Sequence, residues 1–441
     1  MLEGGISRLR DVSDPRRPRE LKARVASSDP SEFLPARRQA DQQGPSGTPT
    51  LLDALALDRG RWVLVLEVPQ GLLASAVVED GEGFRRAGTG DGIAEELLAL
   101  TGTDDERGAF AFRRLGTIGA WSGERPIDVD QSNESIVVGD NAVVKRFVWT
   151  TPENERPMML PAHLVAAGFE EMPAPLGNVG WQHGGGVAPI ASIASYLPGA
   201  RDGWDWYVEL LERSVDDRSI DAIEPAAALG ALTARLHVSL ATPTDVLPAP
   251  SAAASEDTVS AWWRHVVDDL DDALSSVDGD EGARLRGLER AIRDELRQLP
   301  LRPTTAIPIH GDLHVGQFLR SRDRLAVSDL DGDPLRAGTL AGPPAKDVAS
   351  LVQSLDHVGR IVEARRGGSV AGWIRDASDR CLRSYRGELA RLGSSSLFDE
   401  ELLRPLRVAQ ELHEFLYAAR YLPGWRSVPD RAIAALLEID A

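Results

Sequence analysis

Cysteine is almost missing from this chain. Cys381 is the only one, so no internal disulfide can form, no thiolate cluster can hold a metal, and a reducing, cytoplasmic setting is expected. Long apolar runs are missing too. No segment approaches the roughly 18 uninterrupted apolar residues of a membrane span, and the arginine-bearing N-terminus lacks the apolar stretch of about 7 to 15 residues that a secretion signal needs. An excess of positive charge is also lacking. The net charge is −19 and the pI near 4.9, and binding to nucleic acid or to an anionic membrane needs a concentrated basic face. Neither partner is expected. There is no internal repeat and no GxGxxG loop.

What is present is length and one dense stretch of polar residues. A chain of 441 residues exceeds what one hydrophobic core usually organises, so two or three domains are expected. Residues 1–50 are rich in Arg, Asp, Pro and Ser with little periodicity, and most of them read as a flexible or loosely docked arm. Strand-like runs follow from Trp62 to Val78, then a helix from Asp91 to Leu100. The run Glu256 to Leu299, broken at Ser275–Asp280, reads as a helical hairpin with solvated faces.

The dense stretch is His310-Gly311-Asp312-Leu313-His314-Val315-Gly316-Gln317, followed by Asp329-Leu330-Asp331-Gly332-Asp333-Pro334. An Asp with an amide at +5 and a downstream acidic box matches the catalytic logic of phosphoryl transfer. Such transfer needs one carboxylate for the acceptor hydroxyl and hard oxygen ligands for Mg²⁺. Asp312 is the expected base, with Gln317 and Asp329 on the metal. The residues between them read as strand, polar turn, strand, a hairpin that brings Gln317 near Asp329. His310 and His314 have the i, i+4 spacing of a helical metal pair, but Gly311 and Gly316 argue against a helix. The segment 131–148 makes sense as a nucleotide cover: two β-branched runs flank Gly139-Asp140-Asn141, and Lys145 ends the second, where it can reach phosphate.

On these residues the chain resembles the aminoglycoside-phosphotransferase-like branch of the protein-kinase-like fold, and within it the maltokinases and glucosamine kinases. The resemblance covers roughly residues 50 to 441. It implies a bilobal α+β fold: an N-terminal cap subdomain over 51–114, a nucleotide-binding lobe over 115–198, and a mainly helical catalytic and sugar-binding lobe over 199–441. It also implies ATP and Mg²⁺. Ser132, Asn133, Ser135 and Lys145 would contact phosphate, and the extended backbone at Ser195 and Leu197 would meet the adenine edge. A helical glutamate should orient Lys145; Glu155 is the candidate, although Pro157 and Pro161 interrupt its helix.

Substrate identity must come from the second half. Asp347, Asp356, Glu411, Glu414 and Trp425 are the candidates beside Asp312, since carboxylates bind vicinal hydroxyls and an aromatic face covers the apolar side of a pyranose. Asp347 also has the position of a helix N-cap. Glu411, Glu414 and Tyr417 share one helical face, which Pro423-Gly424 ends; an acidic strip there favours a cationic aminosugar. The stretch YAARYLPGWRSVPD is similar to the C-terminal signature of glucosamine kinases. The expected activity is therefore phosphorylation of glucosamine to glucosamine 6-phosphate. Maltose to maltose 1-phosphate is the alternative, with an aminoglycoside-modifying enzyme and a silent sugar- or nucleotide-binding module behind it.

Overall fold

The computed structural model describes residues 17–35, 47–80, 83–127, 133–322, 324–333 and 340–438. The chain divides into two compact units, Met1–Ala162 with Pro173–Pro198 and His163–Met172 with Gly199–Ala441.

The first unit contains two antiparallel sheets. In strand Arg61–Val68, Trp62, Leu64 and Leu66 alternate with Val63 and Val65, and all five are buried. A strand apolar on both faces needs cover on both faces. Val63 and Val65 pack into a core with the helix Ile93–Thr101 and with Phe110, Phe112, Val144 and Ile193 of the second sheet. Trp62, Leu64 and Leu66 are covered by Leu21, Val25, Phe33 and Leu34. Those residues lie on the helix Arg17–Ser27 and the turn after it. The flexible arm expected through residue 50 is therefore wrong for residues 17–35, which are docked by four buried apolar side chains.

The second sheet runs in the order Glu106–Arg107, Phe110–Arg114, Pro175–His183, Gly186–Ser195, Ala142–Arg146, Glu134–Val138, Glu124–Pro126. Phe110–Arg114 pairs with Pro175–His183, Trp181 opposite Phe110, so residues on either side of position 114 share this sheet. The Glu134–Val138 and Ala142–Arg146 strands form the hairpin read from the β-branched runs. Its three-residue loop Gly139–Asn141 is left-handed at both Gly139 and Asp140, φ 56° and 52°, and the Asn141 amide closes the turn on the Val138 carbonyl at 3.2 Å.

Apart from short strand pairs, the second unit is helical. Glu256–Ser276 and Gly279–Leu296 form the helical hairpin. The Glu224–Leu240 helix crosses Ala371–Arg391 so closely that a Cβ on Gly230 would lie 2.1 Å from the Cys381 carbonyl oxygen; only glycine permits that approach. The long helix Pro344–Arg366 runs through the core, with Val348, Leu351, Val352 and Leu355 all buried. Among the described residues no helix is long and apolar enough to cross a membrane.

Candidate active site

Asp312 lies in the loop between the strand Thr304–Pro308 and the hairpin Phe318–Ser321 with Arg324–Val327. The loop is not helical. Gly311 has φ +87°, and His314 caps a single 3-10 turn, Val315–Gln317, which rules out the helical pairing of His310 with His314. Side chains from behind hold the loop backbone. Asp347 accepts from the His310 amide at 2.6 Å and from the Gly311 amide at 2.8 Å. Two turns further along the same helix face, Ser354 Oγ accepts from the Val315 amide at 2.9 Å. His310 Nε2 donates to the Ser328 carbonyl at 2.9 Å, the tautomer being assigned from the Asp312 amide that approaches its Nδ1 at 3.4 Å. The Ser328 amide donates to the Gln317 carbonyl at 2.8 Å and its hydroxyl at 3.1 Å, so the ends of the hairpin are tied together. Gln317 therefore sits one residue from the start of the acidic box. Asp329 itself is left-handed, φ 60°, a conformation that costs energy for a non-glycine residue.

Burial pushes the Asp312 carboxyl up to about 7; the charges of Asp333, Glu414 and Asp329 add to the rise and His413 opposes it. About a quarter of the side chain remains exposed, 25 %, enough to meet a substrate. An aspartate with that proton affinity is a competent base at neutral pH. Below about pH 7 it holds its proton and cannot take another. The expected profile of kcat/KM for the acceptor is thus a loss of about tenfold per pH unit on the acid side, levelling above about 7. A profile flat down to pH 5 would contradict it.

Beside this loop are aromatic rings and one half-buried carboxylate. Trp425 donates its indole N–H to Glu414 at 3.2 Å, and Gln410 donates to the other Glu414 oxygen at 3.1 Å. Trp204 lies edge-on to Trp425 at 5.8 Å between ring centroids and tilts over His314 at 5.6 Å. Burial keeps His314 below its ordinary pKa, and it accepts the Gly316 amide at 3.0 Å. Glu414 is thus near enough for its charge to act on Asp312, and Trp425 is bonded to Glu414.

Three other candidates are engaged elsewhere. Asp347 is 1 % exposed and both its oxygens are engaged, with His237 Nε2 also at 3.1 Å; it holds the catalytic loop and cannot reach a sugar. Asp356 is buried and gives both oxygens to Arg360, one turn along its own helix. Glu411 is fully buried and accepts from His357 and Gln353. Trp204 and His357, which sequence reading did not assign to the site, face Trp425 instead. The only trace of Trp204 is its place in the GWDW run after Asp202, whose side chain caps that helix by accepting from the Asp205 amide at 3.1 Å.

On the nucleotide side, Lys145 stands directly across the strand pair from Ser135. Asn133 gives its side-chain oxygen to the Val148 amide at 3.3 Å. The Ser195 amide donates to the Ala174 carbonyl and its hydroxyl oxygen accepts from the Ala174 amide, both at 2.8 Å, so of its polar groups only the carbonyl lies outside these two bonds. Leu197 is half-buried in the segment after the strand. Ser132 lies outside the described residues. The helix after Glu155 is continuous from Arg156 to Ala166 with Pro161 inside it. Pro157 sits in the first turn, where a missing N–H costs nothing, so the prolines do not break that helix, and Glu155 precedes it.

No protein-family model matches the chain. A glucosamine kinase from Streptacidiphilus jiangxiensis is 42 % identical over 440 residues, which cover 94 % of this chain and 97 % of that one. The chain belongs to the glucosamine kinase family. A glucosamine kinase from Mycolicibacterium smegmatis (strain ATCC 700084 / mc(2)155) is 36 % identical over 417 residues, 88 % of this chain and 98 % of its own. Among solved structures, a glucosamine kinase in complex with glucosamine, ADP and inorganic phosphate superposes with a TM-score of 0.76 at 39 % identity, covering 94 % of this chain and 99 % of that one. A second crystal form of a glucosamine kinase reaches 0.79 at 38 % identity, over 95 % and 99 %. This glucosamine kinase family member thus shares the α+β fold of those solved relatives.

Proposed function

We propose that this chain transfers the γ-phosphoryl group of ATP to the 6-hydroxyl of glucosamine. The observation that carries the reading is the grouping of Asp312, with its raised proton affinity, Glu414 and Trp425 on one side of a loop held from behind, in a chain of the glucosamine kinase family. The sugar hydroxyl oxygen forms the new bond to the γ-phosphorus, the bond to the β-bridging oxygen breaks, ADP leaves, and the hydroxyl proton passes to Asp312. Glu414 offers a carboxylate to the sugar ammonium, a charge-assisted contact that maltose lacks. Trp425 offers a face to the pyranose C–H groups.

Gln317 and Asp329 are hard oxygen donors held at the two ends of one short hairpin by the Ser328 hydrogen bonds, a donor set that fits Mg²⁺. Magnesium bound there would neutralise phosphate charge. Lys145, with Ser135 across the strand pair, would meet the phosphates, with Ser132 and Asn133 as further contacts and Leu197 near the adenine.

Purified protein incubated with ATP and Mg²⁺ against glucosamine, glucose, maltose, N-acetylglucosamine and an aminoglycoside should form ADP and sugar phosphate with glucosamine alone at a substantial rate. Preference for maltose or for the acetylated sugar would overturn the role of Glu414, since neither carries an ammonium. ATP binding without any phosphorylated product would overturn the reaction itself.

A further inference from the structure

Trp425 sits in the short turn Pro423–Trp425, outside any long helix, so secondary structure does not fix its ring. Side chains do. Glu414 takes its N–H and Trp204 meets its edge, and both are half-buried. The remaining neighbour is the His357 ring, perpendicular at 89° with centroids 5.9 Å apart.

His357 is well anchored. Its side chain is 2 % exposed, and its Nε2 lies 3.0 and 3.2 Å from the two oxygens of Glu411. Gln353 donates to Glu411 as well, and Arg407 donates to the Gln353 carbonyl oxygen. Burial works against a charge on His357, yet attraction and hydrogen bonding to Glu411, with Glu414 and Asp356 adding to them, lift it to about 9. Burial raises the Glu411 carboxyl in turn, while His357 and Gln353 oppose that rise. A buried carboxylate–imidazole pair contributes little net stability relative to apolar residues of the same volume, so its place beside Trp425 asks for another reason. A ring anchored on both Glu411 oxygens and packed perpendicular to the indole gives Trp425 a preferred orientation.

We infer that the Glu411–His357 pair positions Trp425, and with it the Glu414 carboxylate, for the sugar. The inference rests on the reading of Trp425 and Glu414 as the sugar side of the site. Glu411 and Glu414 then act one turn apart on the helix Leu403–Tyr421, Glu414 directly and Glu411 through His357. Glu411 is a positioning residue that never touches substrate.

The test is steady-state kinetics on the full chain: wild type, Glu411→Gln, Trp425→Phe and the double variant. Glu411→Gln should raise KM for glucosamine about tenfold, the scale on which a misplaced binding group acts, and leave kcat and KM for ATP within about twofold. The double variant should be no worse than the poorer single one, because both lesions act through one ring. Glu411→Asp, which keeps the carboxyl, should recover part of the loss. A wild-type KM in Glu411→Gln with only a lower melting temperature, or effects that multiply in the double variant, would overturn the inference. If Glu411→Gln does not fold, His357→Asn carries the same expectation. Absence of glucosamine turnover in the wild type would instead sink the proposed function, so the two failures are distinguishable.

Discussion

Asp312→Asn is expected to lower kcat by roughly 100- to 10,000-fold, the range a positioned general base contributes, with KM for ATP little changed. The same variant should be more stable than the wild type above neutral pH. The Asp312 carboxyl ordinarily titrates near 3.8 and is raised to about 7 in the fold, so the folded state holds the proton more tightly than the unfolded chain. That contribution to stability is fully present below about 3.8 and is lost as pH rises through about 7. Asparagine never ionises and keeps it. The difference in melting temperature should open between pH 4 and 7 and stay level above, with an upper bound of about 4 kcal/mol for a three-unit shift. Equal stabilities at pH 8 would show that the carboxylate is not strained by burial, and unchanged turnover would remove Asp312 from the chemistry.

The second large effect is expected at a residue that meets no substrate. Asp347→Ala strips acceptors from the His310 and Gly311 amides and leaves buried His237, whose other nitrogen contacts the Tyr385 hydroxyl at 2.8 Å, without its carboxylate. Removing one side of a buried charged hydrogen-bond set costs about 3–5 kcal/mol, and displacing the base by even about 1 Å costs on the order of 100-fold in rate. Thermal melts and kcat should therefore fall together. Asp347→Asn, which retains one acceptor oxygen, should sit between. A variant with normal kcat and only a lower melting temperature would mean that the loop keeps its shape without Asp347.

The contrast between Asp312 and Asp347 marks what the residue order reveals. Asp312, the amide at +5 and the acidic box are close in sequence, and the polar turn between them closes a hairpin that local propensity already predicts, so their closeness in space was legible. The hairpin ending at Lys145 was legible for the same reason. The acceptor residues were not, because a carboxylate looks the same in sequence whether it faces a sugar, two backbone amides 36 and 37 residues away, an arginine one turn on, or a buried histidine. Only three-dimensional placement separates Glu414 from Glu411, although they are neighbours on one helix. Residues 17–35 were misread because their few apolar side chains, Leu21, Val25, Phe33 and Leu34, are sparse against a charged background. What gives them a partner is the outer face of a strand that itself reads as apolar throughout.

The pairing of Phe110–Arg114 with Pro175–His183 governs how this enzyme can be dissected. A fragment begun at residue 115 would lack the strand that covers Pro175–His183. It would expose the edge Gly177–Trp181, which carries Val179 and Trp181, a ready template for pairing with another chain. Trp181 would also lose Asp53, which accepts its indole N–H at 2.8 Å. The N-terminal segment is therefore a structural wall of the sheet that bears Lys145, and shortening the protein from that end trades solubility for size.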